Sequence, residues 1–466
     1  MFIKRIHRYA VKSLKSGAAR VYIQSSDALR KSGLPENTAV KISYSKHRIV
    51  IEADKSGENK IMDTGRGALL ELKNKNTAAS VGDLEYVSVT FRKGKVIISL
   101  SYSDKQKMER EKSLIEALLR GEPLRQASFF SGLGMLSYHL KMGLKESGID
   151  SQITFANDAS DVAMECNLSG NPIWDNASDD AFAVIDTLEN IDISELVQSH
   201  MVEIGYPCVG QSTLCLKAHR DLEHPVVGTL FVKLLAALDK INPAIVVFEN
   251  TPAFLNSKTL EFIKREMKGY RFEEAIFNAH DFGEIEARKR TCVVAISDGL
   301  PELNLGAISP GEDVKHNKLS EFLEDIPSDS KLWREMEHVK KKALDPNLNY
   351  KNMLYHGEEN LIATLTATYA APKAGSPMIA HPFIDGLQRQ ITALEHALIR
   401  RLPSRMLIAV MYIVNGATPV VSARGSSTIA HRLLGNGVSK KLWLAIGKYI
   451  GKYLFGIKEE KLLLVA

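Results

Sequence analysis

The sequence predicts an α/β protein: a doubly wound, mainly parallel sheet preceded by a β-rich N-terminal domain. Three observations carry this expectation. Between Ala127 and Ser297 short apolar runs alternate with helical stretches, the pattern of strands joined by crossover helices. A segment with two glycines, Ser128-Phe129-Phe130-Ser131-Gly132-Leu133-Gly134, falls where the first run passes into the first helix, the place where such sheets bring backbone close to a ligand. The first hundred residues instead alternate with period two and contain an internal repeat.

At an offset of 47, Ser43–Ala53 aligns without gaps with Thr90–Leu100, and Val40-Lys41-Ile42 with Val87-Ser88-Val89. Each unit reads as strand, short helix or loop, strand, tight turn, strand, with Lys-His or Lys-Gly at the hairpin tip. Residues 1–103 form this domain. Residues 104–125 read as a helical linker, charged and then apolar at helical spacing and stopped by Gly121-Glu122-Pro123. Five sheet strands are expected over 126–300: Ala127–Phe130, Ile153–Asn157, Val202–Ile204, Ala244–Phe248 and Cys292–Ile296. The alternation breaks down over 301–385, with a helical piece near Ser320–Ala343. Over 386–466 two helical stretches flank a loop at Asn415–Thr428.

The 466 residues suffice for more than one core. No run approaches the ~20 apolar residues of a membrane span, and the basic first residues lack an apolar signal core, so a soluble, cytoplasmic protein is expected. The four cysteines, Cys166, Cys208, Cys215 and Cys292, form no CxxC pair; neither a disulfide scaffold nor a metal site is expected. The net charge of +5 is unevenly spread. Through Arg125, 25 basic and 14 acidic residues give +11; from Gly386 on, 12 and 3 give +9; the middle carries −15. Basic flanks suit contacts with nucleic-acid phosphates, or are simply solvated.

The residues with most chemical content lie between these flanks. Gly205-Tyr206-Pro207-Cys208-Val209-Gly210-Gln211-Ser212 puts a thiol on a Pro-Cys turn. A thiolate there is a nucleophile if a positive or dipolar setting lowers its pKa. Forty residues on, Ile245-Val246-Val247-Phe248-Glu249-Asn250 is an apolar strand delivering an acid, able to hydrogen-bond a heterocycle or merely to cap the next helix. Phe155-Ala156-Asn157-Asp158 ends the second strand with an acid that can accept ribose hydroxyls. Arg288-Lys289-Arg290 precedes the last strand.

This order of motifs, from about Gln126 to Ile450, resembles the DNA (cytosine-5) methyltransferase family. The resemblance implies a Rossmann-like domain using S-adenosylmethionine and a target-recognition region over 301–385. It places Phe130 on the adenine side of the cofactor, Gly132 and Gly134 on the methionine side, and Asp158 on the ribose, where the family usually has Glu. Asp179 is the candidate for the adenine amino group. Pro207, Asn436 and Val438 complete the cofactor site, the last two within Gly435-Asn436-Gly437-Val438, similar to the family's Gly-Asn-Ser-Val. Cys208 would add to C6 of cytosine and Glu249 would bond N3. Arg288 would bond the base, and Arg290 would support the fold or a phosphate. Val209, Gln211 and Glu286 stand where the family has Gln, Phe and Gln, and Met135 replaces a second Gly. Arg389-Gln390-Ile391-Thr392-Ala393-Leu394-Glu395 and Thr364-Leu365-Thr366 resemble motifs that organise the small domain and the recognition region.

The implied activity is methyl transfer to C5 of cytosine in double-stranded DNA, a reaction that admits a cognate restriction endonuclease as partner. Two alternatives stay open: the same chemistry on RNA, and a DNA-binding regulator carrying a degraded methyltransferase scaffold. The N-terminal repeat resembles half of a swapped-hairpin (AbrB-type) DNA-binding domain present in two copies, which would let the chain regulate its own gene. A plain β-rich appendage or dimerisation module fits the same pattern.

Overall fold

In the computed structural model, which describes residues 3–211, 216–347 and 352–465, the chain divides into two units, Met1–Glu109 and Arg110–Ala466. The first contains β1 (Arg5–Ser13), β2 (Ala19–Ile23), α1 (Ser26–Lys31), β3 (Ala39–Ser45), β4 (Arg48–Ala53), β5 (Asn59–Lys60), β6 (Met62–Asp63), β7 (Ala68–Asn74), α2 (Lys75–Val81), β8 (Tyr86–Arg92) and β9 (Lys95–Ser99). The order strand–helix–strand–strand occurs twice, as β2-α1-β3-β4 and β7-α2-β8-β9. The two copies face each other across a local pseudo-two-fold axis. β4 pairs antiparallel with β9 so that Val50 lies opposite Ile97, its own partner in the 47-residue repeat. β2 pairs in the same way with β7.

All strands join one sheet of order β5-β3-β4-β9-β8-β1-β2-β7-β6. Alternate residues such as Ile49, Ile51, Val87, Val89 and Ile98 point into a shared core, as a period-two pattern with one buried face requires. The hairpin tips are equivalent too: His47 (φ 56°) takes the left-handed conformation that Gly94 (φ 77°) takes in the second copy. Tight two-residue turns demand this conformation, which Gly adopts without strain.

Helix α3 (Tyr102–Arg120) precedes the second unit's sheet. That sheet is built from β10 (Leu124–Phe129), α4 (Met135–Glu146), β11 (Ser151–Asn157), α5 (Asp161–Gly170), β12 (Phe182–Val184), β13 (Met201–Gly205), α6 (Leu230–Ile241), β14 (Ile245–Asn250), α7 (Lys258–Glu266), β15 (Tyr270–Asn278) and β16 (Lys289–Ser297). Its order is β12-β11-β10-β13-β14-β16-β15. Neighbours from β12 to β14 are parallel, and β16 runs antiparallel to both β14 and β15. The order reverses between β10 and β13, so their carboxyl ends open the crevice where ligands of such sheets bind. The five expected strands all form. The two extra strands, β12 and β15, lie at the sheet edges, where half-exposed positions blur the apolar signal.

Beyond β16 come α8 (Glu337–Leu344), β17 (Met353–Tyr355), β18 (Pro377–Ala380) and β19 (Gln388–Gln390), the strands forming a small sheet of their own. The expected helix over Ser320–Ala343 is replaced by a short turn at Leu319–Phe322 and by α8 alone, because Pro327 and the Ser328-Asp329-Ser330 run interrupt it. The expected two C-terminal helical stretches are four helices, α9 (Ala393–Ile399), α10 (Ser404–Asn415), α11 (Ser427–Asn436) and α12 (Lys440–Val465); Pro403 separates the first pair and Gly437 the second. α12 lies directly on α4. A Cβ on Gly143 would come within 2.3 Å of the Leu444 carbonyl oxygen, and one on Gly447 within 2.6 Å of that of Leu140. Among the described residues no helix is long and apolar enough to cross a membrane.

Candidate active site

One cavity of about 750 Å³ opens at the carboxyl ends of β10, β11, β13 and β14, within the usual range for a small-molecule site. Its two walls differ in chemistry.

The first wall begins where β10 ends. Phe130 takes a left-handed backbone (φ 55°) and turns the chain into the loop before α4, its ring edge against Tyr206 at 5.6 Å. The Gly132 N–H donates to the Asp158 carboxylate at 2.8 Å, and the Ser160 N–H to its other oxygen at 2.9 Å. This fixes the acid at the cavity lining, each oxygen accepting one backbone N–H and keeping a second lone pair. The loop carbonyls point away from the cavity: Asn167 Nδ2 donates to Gly132 O at 3.1 Å, and Asn171 Nδ2 to Leu133 O and Gly134 O at 3.2 and 2.9 Å. Asn436, the last residue of α11, Val438 between α11 and α12, and Pro207 close this side.

The second wall carries the thiol and the acid. Asn250 Nδ2 donates to the Tyr206 carbonyl at 3.1 Å, tying the end of β14 to the turn that presents Cys208. Glu249, 9% exposed, pairs through Oε1 with Arg290 Nε at 2.9 Å. Burial raises the Glu249 pKa above the ordinary carboxylate value, against the pull of Arg290 and Arg288. Burial also raises the Cys208 thiol, with the Glu249 charge adding to it and the two arginines opposing it. The arginines thus supply the positive setting, but burial outweighs it; a dipolar one is missing, because Cys208 opens only a three-residue 3₁₀ turn, too short for a helix dipole. Ser212 and Cys215 lie outside the described residues. Val209 is exposed at the cavity rim, and Gln211 is buried behind it.

Three expected placements are corrected. Gly134 does not line the cavity: a Cβ there would meet Asn171 Nδ2 at 2.2 Å, so the glycine serves the close packing of α4's start on α5. Asp179 is exposed ahead of β12, at the amino-terminal edge of the sheet. Asp186, just past β12, and Glu189 are the acids of this segment that line the cavity. A strand of three residues gives too little sequence signal to show that β12 forms or where it ends. Arg288 does not line the cavity but is buried behind its wall, donating to the carbonyls of Gly435 and Gly437, two lining residues, at 2.8 and 2.7 Å. Arg290 takes the place beside Glu249. The Arg288 N–H closes on Glu286 O at 2.8 Å, a tight turn that sends the two arginines to different neighbours.

The departure at Glu286 has a structural counterpart. Its carboxylate pairs with Arg400 and accepts the Leu365 N–H at 2.7 Å, both charges being almost wholly buried. Arg389 and Glu395 form a second buried, two-pronged pair at 2.7 Å, and Thr392 and Glu395 cap α9 reciprocally. The sequence reading missed Asn167, Asn171 and Asp186; Asn171 before Pro172 was the one available hint, as a helix cap.

Residues 124–452 match the family described as C-5 cytosine-specific DNA methylase. The chain is 28% identical over 199 residues to the Type II methyltransferase M1.BsuMI of Bacillus subtilis, covering 40% of this chain and 46% of that protein. It is 23% identical over 188 residues to the Type II methyltransferase M.MspI of Moraxella sp, covering 39% and 43%. The chain thus spans less than half the length of these curated relatives. Among solved structures, the S. pombe Dnmt2 methyltransferase matches with TM-score 0.50 at 17% identity, over 73% of this chain and 99% of that one. The Entamoeba histolytica methyltransferase EhMeth matches with 0.51 at 17%, over 72% and 98%. These structures share the α/β methyltransferase fold, and the chain, matched over 124–452, belongs to the C-5 cytosine-specific DNA methylase family.

Proposed function

We propose that this protein methylates C5 of cytosine in double-stranded DNA, with S-adenosylmethionine as donor and Cys208 as covalent catalyst. The observation that carries the proposal is that Cys208, Glu249 and Arg290 share one cavity with Phe130, Asp158 and Asn436. The donor set suits the cofactor: an aromatic ring for adenine, a carboxylate with acceptor capacity left for ribose, and a loop whose carbonyls are turned away. S-adenosylmethionine would supply the electrophilic methyl group. The Cys208 thiolate adds to C6 of a base turned out of the duplex, forming a C6–S bond and raising electron density at C5. Glu249, protonated more readily because it is buried, donates to N3 and lowers the cost of that addition. Arg290 holds the Glu249 carboxyl in place. After methylation the C5 proton leaves to a base and the C6–S bond breaks, returning the thiolate. The matched family is described as a DNA methylase, which supports DNA as the substrate.

The direct test is transfer of labelled methyl to duplex DNA and to RNA. Incorporation into duplex cytosine supports the proposal; incorporation into RNA alone rejects its substrate. Asp158→Ala should weaken S-adenosylmethionine binding by roughly 1.5–3 kcal/mol, because hydrogen bonds to a charged group are lost. Unchanged affinity by calorimetry would reject Asp158 as the ribose ligand.

For the N-terminal unit we propose duplex DNA binding, in the manner of the swapped-hairpin domains it resembles. Its two-fold-related halves and the excess of basic residues in this part of the sequence support this. A fragment ending near Arg120 should bind DNA with log K falling by about 0.9 per phosphate contact against log salt. No gel shift even at low salt would leave the appendage or dimerisation reading.

A further inference from the structure

Glu203 is a carboxylate that the chemistry at Cys208 does not use. It sits within β13, wholly buried, in register with Ser128 of β10 on one side and Val247 of β14 on the other. Its partners are uncharged. Ser137 of α4 donates to one oxygen, Gln126 Nε2 donates to the other at 2.9 Å, and the Ser128 hydroxyl also reaches it. No titratable side chain is among these neighbours from β10, α4 and β14. The hydroxyls continue towards the ligand site: Ser137 Oγ lies 3.2 Å from Ser128 Oγ, and Ser131 Oγ donates to Ser128 Oγ at 2.7 Å. Ser128 and Ser131 line the cavity. A buried acid with no countercharge is costly, and an apolar residue would serve packing better. Burial pushes the Glu203 pKa up to about 7, so small changes in its surroundings move its proton.

We propose that Glu203 is a positioning residue for the cofactor: its carboxylate fixes the Ser128 and Ser131 hydroxyls at the cavity floor and places beneath them a negative charge that favours a cationic sulfonium ligand over its neutral thioether product. The proposal rests on the S-adenosylmethionine reading of the cavity. Binding of the sulfonium draws Glu203 towards its ionised form and releases a proton. S-adenosylhomocysteine, which keeps the adenosine and the amino acid but lacks the sulfonium charge, does so less.

The test is calorimetry of the full chain with both ligands from about pH 6 to pH 8.5, for the wild type, Glu203→Gln and Ser137→Ala. The preference for S-adenosylmethionine should grow by about 10-fold across this range in the wild type. The ligands' own amino groups titrate near the upper end, and the sulfonium lowers that of S-adenosylmethionine relative to that of S-adenosylhomocysteine, so the growth due to Glu203 is the part of the wild-type rise that exceeds the rise in Glu203→Gln. Glu203→Gln should abolish that part while leaving S-adenosylhomocysteine affinity within about 3-fold. Ser137→Ala, which removes one donor to the carboxylate, should shift the rise to higher pH; it keeps the test decisive if Glu203→Gln does not fold. Unfolding checks the buried carboxyl itself, whereas the pH dependence of the ligand ratio is the readout that a merely structural role would not move. The folded protein holds this proton from the ordinary value of 4.5 up to about 7, so its contribution to stability falls as pH rises through that window. Glu203→Gln should remove the fall and melt no lower than the wild type above it. A pH-independent ligand ratio in the wild type, or an unchanged dependence in the variants, overturns the proposal. Failure of the wild type to bind either ligand overturns the S-adenosylmethionine reading, and this proposal with it.

Discussion

Cys208→Ala should lower methyl transfer by at least about 10⁴-fold, the scale seen when a covalent nucleophile is removed, while cofactor affinity stays nearly unchanged. The thiol is the group on the second wall that can form the C6 bond, and the first wall does not depend on it for its hydrogen bonds. The reaction can be stopped midway with duplex DNA carrying 5-fluorocytosine. Fluorine cannot leave C5 as a proton does, so the C6–S bond persists and the protein should run as a denaturation-resistant adduct. An adduct that survives in Cys208→Ala would overturn the assignment. The pH dependence follows from the same burial. Because desolvation raises the Cys208 pKa, the thiolate is a minor form at neutral pH. Adduct formation should therefore rise by about tenfold per pH unit until a second group titrates. Glu249 is that second group where its proton is needed: its pKa is also raised, so it stays protonated further towards neutral pH than an exposed glutamate, and its loss levels the profile, which turns down only once the thiol has titrated as well.

The second large effect is on stability. Removing either member of the Glu286–Arg400 pair leaves one almost fully buried charge without its partner, a change that costs about 3–5 kcal/mol. Glu286→Gln should show this loss in denaturant unfolding even though it is nearly isosteric. Glu286→Gln combined with Arg400→Met should recover most of it, because the stranded charge is gone. Arg400 also donates to the Leu365 and Leu434 carbonyls, so recovery should be incomplete. A loss below about 1 kcal/mol in the single variant would mean that water reaches the pair.

The pair also marks where sequence reasoning stopped. Glu286 alone looked like a mismatch; its meaning depends on Arg400, more than a hundred residues away, which no local pattern announces. Local signals fared better. Alternating apolar runs located the five inner strands, and the 47-residue repeat foreshadowed two hairpins meeting across a pseudo-two-fold axis. Cys208, Glu249, Phe130, Asp158, Pro207, Asn436 and Val438 reach one cavity because each sits at the end of a core strand or beside a helix terminus. Gly134, Asp179 and Arg288 do not, and in each case the deciding fact is tertiary: a packed asparagine, the short strand β12, and a tight turn at Glu286–Arg288. Glu203 was passed over because a single acid inside an apolar strand carries no motif.

Bisulfite sequencing of DNA and RNA from cells expressing the chain tests the central claim most directly. Protected cytosines should appear in duplex DNA, recurring in one short sequence context and lost in cells expressing Cys208→Ala. Fully converted DNA, or protection confined to RNA, would contradict it.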